Sequence, residues 1–470
     1  MSISLNPFTL LSGEGLDVTS LVNQILNQKS GQLSQWGSEQ SLLRVQAGIL
    51  NTINADLSSL KSAVTELSDP LGALTAQQAT SSNPAILTAQ ADTSALAGTH
   101  SIIVNNLASA GVVYTDAISG GANVSILPPG ASSGRLTLQL GGAAGTTADI
   151  QINAGANDTL STLASYINQQ SAANHWGMQA AVVNDVTGSR LSLTTQATGT
   201  PGAIAITNNT TALAFAAPVG GTNASLTIDG IPYVSTTNTI TGAIAGITLN
   251  LGGAAPGTAV QLSVEADTAR IIGAINTFVD AYNRVISEIN SQFKVDLTTN
   301  SEGPLASDSA LRSLQSILLR DATYSVTGNS GLVNLASLGI NMNDDGTLSV
   351  GTTPSGQTMS QVLAGNPQAF QSFFQNATGM GFANVFHTDL IQLTDSTQGL
   401  ISVDLAQNKA QQNDLADTIA NFQDRLAAQQ QALTKQFSLV NATLQAYPLL
   451  LQQVTDTLAS MDLGAKKNNG

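Results

Sequence analysis

The sequence predicts a multidomain α+β protein in which helices from both termini form a bundle or coiled coil and mostly-β domains are inserted between them. Three observations carry this. Near the N-terminus Trp36, Leu43, Leu50, Leu57, Val64 and Leu71 recur every seven residues, with Ile53, Leu60, Leu67 and Leu74 at the second seam position. At the other end Leu415, Ile419, Phe422, Leu426, Leu433, Phe437, Val440, Leu444, Tyr447, Leu451, Val454, Leu458 and Met461 fall at steps of four and three, interrupted only by Gln429 and Gln430. Such steps keep one narrow apolar stripe along a helix, as in a coiled-coil partner. Between the two seams the apolar period changes to two, the period of strands.

Taken in order, residues 1–32 form an N-terminal tail segment. Asp17 or Thr19 caps a short amphipathic helix carrying Leu16, Leu21, Val22, Ile25 and Leu26. A helix of that length is unstable alone in water, and Gly31 and Gly37 separate it from the seam that follows, so it is expected to order only on a partner. The first long helix then spans Leu33 to Leu74 within a segment 33–78, weakened locally by Gly48 and stopped or kinked by Pro70.

Residues 79–265 read as mostly β. In Arg135 to Leu140, Leu136, Leu138 and Leu140 alternate with polar residues, and Asp229-Gly230 between two apolar runs is a two-residue hairpin signal. One helix interrupts this region after Asp158, with Leu160, Leu163, Ala164 and Ile167 on one face. Two subdomains are expected, one from 79–110 with 224–265 and one from 111–223.

The helical period returns at Asp267 and Thr268, plausible N-caps. Ile271, Ile275, Phe278, Tyr282, Val285, Ile289 and Phe293 repeat the seam, and a shorter helix carries Leu311, Leu314 and Leu318. Both are expected to join the terminal seams in a bundle over 266–447, with a small α/β insertion at 325–400. Pro448 lies inside the last seam and predicts a kink or domain boundary near Tyr447, leaving 448–470 as a C-terminal tail.

Composition narrows the function. The net charge is −15 and no basic cluster exceeds Lys466-Lys467, which argues against nucleic acid and anionic membrane surfaces as partners. There is no cysteine, so disulfides and thiolate chemistry are excluded. No run approaches a membrane span and the start lacks a signal-peptide pattern, so the expectation is a cytoplasmic chain or export without a cleaved signal.

Chemistry is sparse. His100, His175 and His387 stand apart from any metal-ligand spacing. Asn341, Asn343, Asp345 and Gly346 mimic half a calcium loop, but Thr352 stands where a bidentate Glu is required, and a β-turn explains the same residues. No catalytic, metal-binding or cofactor-binding residue and no cofactor is proposed. Helical stripes ordinarily mark core; what that leaves unexplained is their placement at both extreme ends. The outermost turns, before Gly31 and beyond Pro448, are therefore candidate intermolecular surfaces.

The order and spacing of several segments resemble flagellar axial proteins, and the hook-associated protein 2 family in particular. The segments are Gly15–Leu26, Gly98–Ala110, Leu226–Leu251, Ala266–Ile289, Pro304–Leu314, Leu335–Val350 and Arg425–Phe437. The stretch from Ala148 to Thr207 resembles a module inserted in many flagellin and hook proteins. The family implies a secreted, non-enzymatic cap at the distal end of the flagellar filament, exported by the flagellar type III route, with β head domains and a helical leg. The same resemblance implies as partners a ring of its own copies, pentameric by the family's pattern, together with flagellin, the hook–filament junction protein and an export chaperone. Membrane insertion is not implied. Adhesion to host mucin or other glycans is a second expectation. On this reading Leu16, Asp17, Val18, Leu21, Val22, Ile25, Leu26, Leu444, Leu451, Val454 and Leu458 make intermolecular tail contacts. Trp36, Leu43, Leu50, Leu57, Val64, Leu71, Ile275, Phe278, Tyr282, Leu426, Leu433, Phe437 and Val440 close the helical seam.

Overall fold

The computed structural model describes residues 17–295 and 301–465. The chain divides into two compact units, one built from both of its ends, up to Ser68 and from Ile275 onward, and one from Asp69–Ala274 between them.

The first unit opens with α1 (Val18–Ser68), a single helix. The short N-terminal helix and the long seam, expected as separate elements, are therefore one. Gly31 and Gly37 lie inside it with open space around them. Each costs about 1 kcal/mol relative to Ala, too little to break a helix whose apolar face is packed. Asp17 caps its start, its carboxylate accepting from the Ser20 amide at 3.0 Å. The helix stops at Ser68, short of the expected Leu74, because the Asp69 carboxylate takes the Leu71 amide at 2.9 Å and Pro70 follows directly. Leu71, expected in the seam, consequently lies beyond the helix and is 68% exposed.

The second unit contains β1 (Gln77–Ser81), β2 (Leu87–Ala91), β3 (Gly98–Asn106), β4 (Ala110–Tyr114), β5 (Ser133–Leu140), β6 (Thr146–Asn153), α2 (Leu160–Asn174), β7 (Met178–Asp185), β8 (Gly188–Thr198), β9 (Ile204–Asn209), β10 (Ala224–Ile228), β11 (Ile231–Ser235), β12 (Thr239–Ile244), β13 (Ile247–Leu251) and β14 (Val260–Ala266). All their pairings are antiparallel. They enclose two cores.

One core lies among the sheets β1-β14-β3-β10-β11 and β12-β13-β2, with Ile102, Val104, Leu226, Leu249 and Leu262 fully buried. The turn between β10 and β11 is the expected Asp229-Gly230 hairpin, with φ of 50° and 86°. The Asp229 carboxylate accepts from the Ser101 amide and pairs with His100 Nδ1, both at 2.8 Å, tying the turn to β3. These bonds hold the carboxyl below its usual range.

The other core lies among β4-β8-β7, β6-β5-β9 and α2. Thr159 caps α2 in a reciprocal capping box with Thr162, and the face of Leu160, Leu163, Ala164 and Ile167 is buried. Thr195 on β8 joins three segments through one hydroxyl, which accepts from the Gly111 amide and donates to the Gly202 carbonyl, each at 2.9 Å. A Cβ at Gly111 would stand 1.9 Å from the Gly202 oxygen, so only glycine fits.

The remainder of the first unit comprises α3 (Thr268–Phe293, whose opening turns belong to the second unit), α4 (Ser309–Ala322), the hairpin β15 (Ile340–Met342) and β16 (Leu348–Val350), then α5 (Met359–Gly365), α6 (Pro367–Phe374), α7 (Phe382–Leu393) and α8 (Leu400–Ala465). Pro367 begins α6, with Asn366 capping through the Ala369 amide at 3.0 Å. Phe278, Tyr282, Phe370, Phe373, Phe374, Phe382 and Phe386 are fully buried, and neighbouring rings meet mostly edge to face, 5.0 to 6.4 Å apart. Asn283 on α3 clamps the small hairpin, donating to the Leu348 carbonyl at 2.7 Å and accepting its amide at 2.6 Å.

The expected boundary at Pro448 is not found. α8 runs through it to Ala465. Proline removes one amide from a ladder of 66 residues, and on an exposed turn water satisfies the carbonyl it frees.

Candidate intermolecular surfaces

The seam of the first unit is built by α1 and α8 running antiparallel. Trp36 meets Phe422 edge to face at 5.2 Å, and the Arg425 guanidinium lies 5.6 Å from the Phe422 ring centre. One heptad toward the N-terminus of α1, Lys29 donates to the Gln429 side chain at 3.0 Å. A polar pair at a seam position costs stability and fixes the alignment of the two helices. The Gln429 interruption was visible in the sequence; that it would find Lys29 was not.

Burial along the pair falls steadily. Leu50, Ile53, Leu57, Leu60, Val64 and Leu67 are buried at 2% exposure or less, where α7 also packs and Arg284 on α3 pairs with Asp56 at 3.5 Å. Toward the N-terminus of α1, Leu43 is at 9%, while Leu33 and Trp36 are half-buried, as are Leu415, Leu426, Leu433 and Phe437 on α8. Two helices cover only one face of each other, so the seam thins where the bundle ends. Val440, expected to close the seam, is 48% exposed.

The tail residues separate into three groups. Leu16 lies outside the described residues. Asp17 is a helix cap, and Val22 is buried at 1% within its own chain, level with Gln436 and Phe437 in the register set by Lys29 and Trp36. Val22 is thus not free for a neighbour, which corrects its assignment as a contact; the Asp17 side chain is exposed. Val18, Leu21, Ile25, Leu26 and Leu444 are half-buried. Leu451, Val454 and Leu458 are exposed at 53%, 55% and 61%, alongside Leu439 at 68%, Tyr447 at 61%, Leu449 at 71% and Leu450 at 56%. In the same register Val18 stands level with Val440, and α8 continues about 25 residues further, roughly 37 Å.

Two acids, each with a buried carboxylate oxygen, sit where α4 joins the bundle. Asp321 on α4 is 2% exposed at its side chain; its Oδ1 accepts from Arg320 at 2.8 Å, while its Oδ2 has no partner. Arg320 also binds Asp389 on α7. Burial, with Asp389 adding to it against the pull of Arg320, raises Asp321 to about 6, and burial next to Asp321 lifts the Tyr282 phenol well above its usual range. Asp404 on α8 is raised to about 6 by burial and by Asp308. Asp308 caps α4, accepting from the Ala310 and Leu311 amides at 2.8 and 3.1 Å. No sequence signal marked these groups, since Asp389 and Asp308, which meet them, lie far away in the chain.

The calcium-like stretch is the β15–β16 turn. Its donors are spent internally: the Asp345 carboxylate accepts from the Thr347 amide and hydroxyl at 3.0 and 2.6 Å, and Asn343 donates to the same hydroxyl at 2.9 Å. Among the described residues no cluster of His, Asp and Glu is arranged to hold a metal, and no helix is long and apolar enough to cross a membrane.

Three family models match the chain: Flagellar hook-associated protein 2 N-terminus over 14–111, its C-terminus over 221–447, and the Flagellin hook IN motif over 135–197. Among curated proteins, the B-type flagellar hook-associated protein 2 of Pseudomonas aeruginosa is 27% identical over 96% of this chain and 97% of its own. The flagellar hook-associated protein 2 of Escherichia coli is 28% identical over 70% of this chain and 72% of its own. The crystal structure of the D1-D2-D3 domains of the Escherichia coli flagellar cap protein FliD covers 77% of this chain and 99% of its own, at 25% identity and a TM-score of 0.58. With the N-terminal model running from the helical unit into the β unit, the C-terminal model running from the β unit back into the helical one, and the inserted motif on the β unit between them, the chain belongs to the flagellar hook-associated protein 2 family.

Proposed function

We infer that this protein is a structural cap at the distal end of the bacterial flagellar filament, acting outside the cell and without catalysis. The observation that carries the reading is the pairing of the two family matches with a solved cap protein that shares the fold across nearly its whole length. Its working partners are further copies of itself in a ring of five and the flagellin that polymerises beneath it. The hook–filament junction protein and an export chaperone complete the set, the chain leaving by the flagellar type III route. A ring needs heterologous contact between copies, and a cap that advances with each added subunit needs an end that can release and rebind. The bare turns of α8, with Leu444, Leu451, Val454 and Leu458 on one stripe, meet that need.

The test is complementation of a strain lacking its cap. The full chain restores filaments. A chain ending at Pro448 keeps the helical circular dichroism of its core yet leaves filaments short and flagellin monomeric in the medium. Normal filaments with the truncated chain would show that the tail makes no essential contact.

A second reading, adhesion to host glycans, rests on one cleft of about 430 Å³ in the second unit. Tyr166 stands there among Asn153, Asn157, Ser161, Thr162 and Gln169, an aromatic face ringed by amides and hydroxyls. A glycan array probed with the full chain and with Tyr166→Ala decides it: binding lost in the variant supports adhesion, and no binding by either removes it.

A further inference from the structure

Both ends of α4 are fastened through acids. At its start Asp308 caps the helix through the Ala310 and Leu311 amides and meets Asp404 of α8, carboxyl to carboxyl. In its last turn Asp321 shares the Arg320 guanidinium with Asp389 of α7. Asp321 Oδ2 and Asp404 Oδ2 are buried, and neither has a hydrogen-bond partner. A carboxylate placed so costs far more when ionised than when neutral. Asp308 adds a like charge beside Asp404, and the negative end of α4 adds to the cost at Asp321.

We propose that α4 is a proton-held latch: it stays docked on α7 and α8 while Asp321 and Asp404 are neutral, and undocks ahead of the rest of the helical unit once they ionise. Among the described residues, the groups facing Asp321 are Arg320 on α4, Asp389 on α7 and the neutral Tyr282 phenol on α3. Asp308 faces Asp404. Arg320 is the one cation in this set; it offsets one of the two carboxylates beside it and neither at the other end of the helix. Burial comes first in lifting each acid to about 6, so the docked helix binds protons that the released helix gives up. By the sign of that linkage, docking is strongest in acid and weakens as pH rises through 6. What then holds α4 is the face of Leu311, Leu314 and Leu318, together with the Gln315 amide donating to Asn290 of α3 at 2.7 Å. The packed face of α1 is different: Ile53, Leu57, Leu60, Val64 and Leu67 hold it without a titrating group. The inference concerns packing inside the helical unit and stands whether or not the protein is a cap.

Amide exchange of the full chain in low urea, corrected for the effect of pH on unstructured amides, reads the opening of residues 311–320 of α4 beside residues 53–67 of α1. Opening of α4 should rise at least about tenfold from pH 4.5 to 8, the range over which a proton held at about 6 when docked and at 3.8 when released is lost. Its dependence on urea should be weaker than that of α1, because one undocked helix exposes little surface. Asp321→Asn with Asp404→Asn keeps both shapes and removes both titrations, so α4 should open equally at the two pH values. Where that double variant does not fold, Asp389→Asn serves, since it removes the like charge beside Asp321 and should move the midpoint of α4 opening to lower pH. A merely structural contact would change the extent of opening and leave the midpoint in place, which would count against the latch. Opening of α4 that ignores pH in the parent would overturn the proposal, as would the same rise in the double variant. A common urea dependence for α4 and α1 would show the unit loosening as one body and would remove the latch.

Discussion

Replacing Asp321 by Asn should flatten much of the pH dependence of the helical unit. Asp321 keeps its proton to about pH 6 in the folded protein, against 3.8 ordinarily. Between those values the folded state binds more protons than the unfolded chain, so unfolding free energy falls as pH rises through the window and levels off above it. The full contribution, about 3 kcal/mol, is present only below pH 3.8; about 2 kcal/mol of it remains at pH 4.5 and is lost by pH 8. Asp404, raised to about 6 as well, acts in the same direction but is less enclosed and is worth about 1 to 2 kcal/mol. The exposed acids of this unit with lowered values, Asp345 and Asp395, work in the opposite sense, at more acid pH than their ordinary 3.8. Asn keeps the oxygen that accepts from Arg320 while removing the titration. Urea unfolding followed by far-ultraviolet circular dichroism from pH 4.5 to 8 measures the effect, because helix dominates the first unit. The parent loses stability across the range, Asp321→Asn loses about half as much, and Asp321→Asn with Asp404→Asn is nearly flat. An unchanged slope in the double variant would refute the assignment of these two carboxyls as neutral partners in the folded bundle.

Two further substitutions probe the seam and the insertion. Trp36→Ala and Phe422→Ala, singly and together, should show a coupling of about 0.5 to 1.5 kcal/mol, read from amide exchange over residues 29–40; strictly additive effects would mean the edge-to-face pair holds nothing. Gly111→Ala should cost about 2 kcal/mol or more in the core around β4 and β8, since the new Cβ meets the Gly202 carbonyl. Exchange protection should fall there and not in α1, and equal protection in both proteins would contradict that close approach.

Much of this fold was legible because periodicity reports which face a segment buries. The seven-residue recurrence from Trp36 to Val64 marks the packed face of α1, the alternation of Leu136, Leu138 and Leu140 marks β5, and Asp229-Gly230 marks its hairpin. The errors came where a local breaker was weighed without its tertiary setting. Gly31, Gly37 and Pro448 each weaken a helix locally, yet α1 and α8 run through them. Pro70 did mark an end, because Asp69 supplies a competing turn. β1 was missed, since Gln77–Ser81 has no apolar alternation and becomes a strand by pairing with β14. The candidate surface was half legible: the stripe on α8 was visible, but which of its residues remain bare depends on where α1 starts and on the register that Lys29 and Gln429 fix. The buried carboxyls left no trace in the sequence, because burial and pairing across the chain create them.

The second unit is closed by its own first and last strands: Gln77 on β1 is the partner of Ala266 on β14. Within it the same device recurs, Asn106 at the end of β3 pairing with Ser225 on β10, so that everything from β4 to β9 leaves and returns through neighbouring strands. Each insertion thus begins and ends at adjacent points, like nested cassettes. A lineage can lengthen, shorten or exchange the outer cassette with two local joins and without re-registering the sheet that holds it. Surface variation is thereby confined to a segment whose replacement leaves the helical unit's chain path intact.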